Sequence, residues 1–319
     1  MNRKNDLTII WVALLTVIAT GALIGFFNMS MQTLMLTVVL FVFVVSRGAR
    51  MATDVDRAML AWVIPVAFIA KILGASVRHY VAVFVYNRSA DALVYHRRAA
   101  EIYADVWRSF EIPVITSRGA GTNFMEGLTG FIYVPYIPDE LGGFVIFATL
   151  ALLGQMLFYA AYRRALPAAG LKRYALGIFF LPSLLYWPSS PGKDSIMLLA
   201  LGTATWAITG LFQGKWLSML PILAGSLALM AAIRPHVAAL LVGALGLALL
   251  ASRAPKIGGG IAIRMLLFGV VGVGIAFVAV RLSAAYGLSL DTNSLNEFAD
   301  SVTDRTATGG SQVAGRAVT

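Results

Sequence analysis

An all-α, polytopic transmembrane bundle of about nine spans, with one further helix lying at the membrane interface, is the fold class this sequence predicts. Three observations predict it. Hydrophobic residues make up 59% of the 319 and charged residues only 13%, where a soluble domain carries about 25% charged residues. The mean hydropathy is +0.80. The apolar residues come in runs near the ~20 residues that a helix needs to cross the hydrocarbon core. Cysteine is absent, which excludes disulfides and thiolate metal sites.

Taken in order, the predicted spans are 7–27, 32–46, 58–75, 140–162, 174–188, 195–213, 217–233, 237–251 and 265–283. Arg3 and Lys4 ahead of the first run make it a signal anchor with its N-terminus in the cytoplasm. Residues 76–139 form a long outer loop within a bundle of residues 1–283. In that loop, 89–111 reads as an amphipathic interfacial helix, with Leu93, Ala100, Tyr103, Trp107 and Phe110 on one stripe. Arg97 and Glu101 stand one turn apart on its wetter side. The apolar stretch 123–138 is too short and too interrupted by Gly and Pro to span, and is expected to be interfacial or re-entrant. Residues 284–319 form a polar extracytoplasmic tail with little that can pack, expected to be disordered or cut short.

The charges fit this topology. The segments predicted to be cytoplasmic hold thirteen basic residues, among them Arg47, Arg50, Arg163 and Arg164, against Asp6, Asp54 and Asp56, which accounts for the whole net charge of +10. The outer side balances. Such asymmetry is the positive-inside pattern of a multi-pass protein of the cell membrane, so the basicity does not point to nucleic acid.

Three constellations fall on the predicted outer face. Asp91 and Tyr95 share a helix face, with His96 beside them. A carboxylate there can take the proton of an attacking hydroxyl, or Asp91 can simply favour the first helical turn. The run from Leu181 to Asp194 offers Ser189, Ser190 and Lys193 to a phosphate, although its spacing is not that of a P-loop. The alternative is a rigid turn, with Asp194 capping the next helix and Trp187 anchoring at the interface. Arg234 and His236 flank Pro235 at another outer corner, where arginine can clamp a phosphate or snorkel to the headgroups.

This order of features resembles the C-type-fold (GT-C) multi-span glycosyltransferases that use polyprenyl-phosphate-linked sugars. The Asp91–His96 stretch looks like the family's catalytic outer loop. The run from Pro182 to Asp194 and the Arg234–Pro235 pair look like turns of related bacterial membrane proteins. The resemblance covers residues 58–255 and implies an inverting sugar transfer outside the membrane. Asp91 would be the general base, Lys193 and Arg234 would hold the donor phosphate, and the acceptor would be a saccharide or lipid of the envelope. No cofactor is implied, and a divalent metal is left open. The sequence departs from the family by two extra spans before the loop, by lacking a second acid closer than Glu101, and by having fewer spans. Two other classes stay open. A transporter or flippase of lipid-linked saccharide is one, although the single clear ionisable residue in the spans, Lys71, sits near enough to the outer end to snorkel. A non-catalytic subunit of an envelope-assembly complex is the other.

Overall fold

The computed structural model describes residues 30–109, 121–136, 139–167 and 170–251, with isolated positions 269 and 272. The predicted first span, most of the predicted last span and the polar tail lie outside these residues. Ten helices and no strand occur among the described residues. Five are long and apolar enough to cross a membrane: Met31–Met51, Arg57–Val85 including a terminal π turn, Glu140–Ala165, Lys193–Phe212 and Trp216–Ile233.

Helix α1 (Met31–Met51) starts where the Ser30 side chain accepts from the Thr33 backbone N–H at 3.2 Å. Its outward face is apolar and open, with Met35 65%, Val39 64% and Val42 60% exposed. Such a stripe needs lipid or another helix against it. A tight turn leads into α2 (Arg57–Tyr80), which runs on through the π turn Val81–Val85. Asn87 and Arg88 then take positive φ and redirect the chain into α3 (Asp91–Ser109). Helices α3 and α4 (Thr122–Tyr133) pack together as a non-spanning pair, α3 being too polar and α4 too short to cross. They fall on the amphipathic stretch 89–111 and the apolar segment 123–138, and both are helical there.

The most enclosed element is α5 (Glu140–Ala165), capped by Asp139 through the Gly142 N–H at 3.0 Å. It divides two apolar cores. One face meets α1, α2 and α6 (Leu171–Phe180); the other meets α8 (Lys193–Phe212), followed in sequence by α9 (Trp216–Ile233) and α10 (Pro235–Ala251). The α5–α8 contact depends on two glycines. A Cβ on Gly202 would lie 2.2 Å from the Gly154 carbonyl oxygen, so any larger residue would force the helices apart.

Two expectations are corrected. Residues 174–188 do not form one spanning helix. Leu181 is extended (φ −60, ψ 123) because the residue before a proline is steered out of the helical region, so the stretch divides into ten-residue α6 and five-residue α7 (Pro182–Tyr186). Neither is long enough to cross alone; in series they return the chain from the end of α5 to the start of α8. Lys71 does not snorkel either. It is 0% exposed, and its Nζ donates to the Leu184 carbonyl at 2.5 Å, with Ser189 Oγ at 3.5 Å. Five-residue α7 ends with carbonyls that have no helical partner, and the lysine fills one of them; the Ile178 carbonyl freed by Pro182 accepts from Gln155 Nε2 at 2.6 Å instead.

Candidate functional site

Helices α2, α3 and α8, with the corner between α9 and α10, meet around a cavity of about 350 Å³. Asp91, Tyr95, Ser190, Lys193, Asp194 and Arg234 all line it, together with Arg78, Tyr86 and Trp187. The up-and-down alternation of the spans brings these distant stretches to one end of the bundle.

Asp91 opens α3 and is exposed, with no hydrogen bond or ion pair to another described residue. One turn on, Tyr95 is 3% exposed. Burial pushes its phenol up, while the Thr122 hydroxyl beside it pulls the other way. Thr122 also accepts a hydrogen bond from Lys193 Nζ at 3.3 Å, so this one hydroxyl lies between the aspartate helix and the lysine turn. The turn before it holds on to the third corner: the Gly121 N–H donates to the Ala232 carbonyl at 3.3 Å. Gly121 takes φ +93, and a Cβ there would come 3.2 Å from Lys193 Nζ, which explains the glycine twice over.

The charges are unequally matched. Arg234, which ends α9, pairs with Asp194 at 2.8 Å. Arg78 lies over the rings of Trp187 (4.6 Å) and Tyr186 (5.0 Å), and its Nε donates to Ser190 Oγ at 3.5 Å. No carboxylate among the described residues pairs with Arg78 or Lys193. Nearby Arg88 is already matched by Glu140, which His79 also approaches at 3.3 Å. Two unmatched cations and one unmatched carboxylate therefore face the same space. That arrangement suits a ligand carrying an anionic group and, next to it, a proton to lose.

Three predicted site residues are not brought in. His96 is 7% exposed and turns away from the cavity, its Nδ1 3.1 Å from the Tyr133 hydroxyl. Burial holds its pKa below the ordinary imidazole value, so it is a neutral packing partner at pH 7. Ser189 is 0% exposed and donates to the Leu185 carbonyl at 2.5 Å, which makes it part of the turn's framework. His236 is exposed and does not line the cavity. The buried stripe of α3 is also displaced from the predicted one. Ala92, Leu93, Tyr95, His96 and Ala99 face inward, Trp107 is half exposed, and Glu101 pairs with Arg98 rather than Arg97.

Arg78 and Trp187 are the residues that sequence reasoning did not place in the site. The available signal is a cation at the predicted outer end of a span, where topology does not need one. The same signal marks Lys193.

Compared with protein-family models, curated proteins and solved structures, the chain finds no match in any of the three. The fold therefore defines a class only: an α-helical membrane protein, with a charged cavity between its helix ends.

Proposed function

We propose that this protein is a membrane glycosyltransferase of the C-type fold. It moves a sugar from a polyprenyl-phosphate donor to an envelope acceptor, a saccharide or lipid, on the extracytoplasmic face. The observation that carries the reading is the free Asp91 carboxylate in the same cavity as the unmatched cations Arg78 and Lys193. In the reaction, an acceptor hydroxyl oxygen bonds to the anomeric carbon as the bond from that carbon to the donor phosphate oxygen breaks. The hydroxyl proton passes to Asp91, and the electron pair leaves with the polyprenyl phosphate. Lys193, Arg234 and Arg78 supply positive charge where that phosphate forms. Attack opposite the leaving group inverts the anomeric centre. Trp187, half exposed at the cavity wall, offers an aromatic face to a sugar ring.

Membranes carrying Asp91→Asn should lose transfer from a polyprenyl-phosphate sugar by about 10²–10⁴-fold while the protein still inserts. Full activity in that variant ends the proposal.

Transport of a lipid-linked saccharide is favoured by one observation, the burial of Lys71 inside a span. Its bonds to Leu184 and Ser189 give that lysine a structural occupation, and so the transferase reading stands first. Movement of substrate across proteoliposomes, without covalent change, would reverse the order.

A further inference from the structure

A second basic cavity lies between α1, α5 and α8 at the opposite end of the bundle, with a volume of about 560 Å³. Its rim carries Arg47, Arg50, Arg163 and Arg164, and no acid lines it among the described residues. Among the described residues a carboxylate neutralises Arg163 alone of these four, Asp56 at 2.6 Å. Arg164 lies over the Trp206 ring at 4.5 Å and donates to the Trp206 carbonyl at 3.3 Å. Arg47 and Arg50 are exposed, and neither pairs with a carboxylate among the described residues. Three guanidinium charges thus face one cavity without a counter-charge among the described residues.

The walls below the rim are apolar. Along α5 the lining passes from Arg164 through Leu157 to Leu153, and α8 contributes Leu199. Eleven helical residues from Arg164 to Leu153 rise about 16 Å, roughly half of the ~30 Å hydrocarbon core. The cavity is therefore charged at its mouth and apolar to about the depth of one leaflet. That is the outline of a phospholipid rather than of a soluble anion. Trp206 beside Arg164 sits where an indole borders headgroup and acyl chain. The neighbouring wall, α1, is the helix with the most open apolar face, so the cavity adjoins surface that lipid can reach.

We propose that this cavity binds one anionic glycerophospholipid. Arg47, Arg50 and Arg164 hold its phosphate headgroup, and the α5–α8 wall takes an acyl chain. This site is separate from the Asp91 cavity and does not depend on the transferase reading.

The test uses the full chain, stripped of lipid in detergent and supplied with phosphatidylglycerol or phosphatidylcholine. Bound lipid is counted by native mass spectrometry, and stability is followed by thermal unfolding. Phosphatidylglycerol should be retained about tenfold more tightly than phosphatidylcholine and should raise Tm. In Arg47→Gln/Arg50→Gln that preference should vanish, while Arg163 and its buried partner Asp56 stay intact. If Arg164→Gln, made separately, loses packing against Trp206, the exposed α1 pair still gives the answer. Equal retention of the two lipids overturns the site. So does an unchanged preference in the α1 variant. Full stabilisation by glycerol phosphate alone overturns it too, because it would mark a site for soluble anions.

Discussion

Two aspartates at opposite ends of the bundle show how the same side chain serves two purposes. Asp56 is 2% exposed and has every lone pair occupied. It accepts from the Thr53 N–H (2.7 Å) and hydroxyl (2.8 Å), the Tyr159 hydroxyl (2.9 Å) and Arg163 Nη1 (2.6 Å). Burial on its own would raise its pKa, but these donors together outweigh burial and hold the carboxyl below its usual range. Asp91 is exposed, without a partner among the described residues, and faces a cavity with unmatched cations. A saturated, buried carboxylate ties the turn between α1 and α2 to α5 and has nothing left to offer a ligand. An open carboxylate contributes little to folding and is free for chemistry. The contrast teaches that hydrogen-bond saturation, more than charge or location, separates the structural acid from the candidate base.

The largest test of that contrast exchanges the two roles. Asp56→Ala should destabilise the protein by about 3–5 kcal/mol, since it leaves the Arg163 charge poorly compensated. The protein that remains folded should keep its transfer activity per molecule. Asp91→Asn should do the reverse and leave the thermal unfolding midpoint unchanged. A stability loss at Asp91 comparable to that at Asp56 would break the comparison.

Next in size, Arg78→Gln should raise KM for the donor about tenfold, the scale for one lost charge-assisted contact, with a smaller effect on kcat. Steady-state rates on reconstituted protein decide this, and an unchanged KM would remove Arg78 from the site.

The smallest effect is the pH profile of stability. His96 has its folded pKa depressed below 6.5 by burial. As pH falls below 6.5, the unfolded chain binds a proton that the folded one refuses, so stability declines until the folded value is passed. Asp56 acts in a lower window. Its folded pKa is depressed below 3.8, so its contribution is whole above 3.8 and is lost as pH falls through the folded value. Unfolding midpoints across pH should therefore show two separate declines. Asp56→Asn should abolish the lower one and leave the upper one in place, and Tyr133→Phe should alter only the upper.

Much of this architecture was legible because membrane helices are written in local terms. An apolar run of spanning length, an arginine-rich end and an amphipathic stretch each depend on neighbours in sequence, and α1, α2, α5, α8, α9 and the α3–α4 pair follow from them. Counting alternations was enough to bring Asp91, Lys193 and Arg234 to one end. The division of 174–188 was also written locally, in Pro182, but average hydropathy conceals a single backbone restriction.

What the sequence by itself determined was which segments are helical and membrane-compatible, and which helix ends share a side, because hydropathy and connectivity decide both. The tertiary structure alone decided which way each helix face turns. That rotation buries Lys71 instead of letting it reach the headgroups, and it sends His96 to Tyr133 rather than to the cavity. It also brings Arg78 over Trp187 and matches Asp194 with Arg234. These outcomes rest on close approaches such as Gly154 against Gly202, where the fit of two surfaces sets the angle between helices. No residue carries that fit alone.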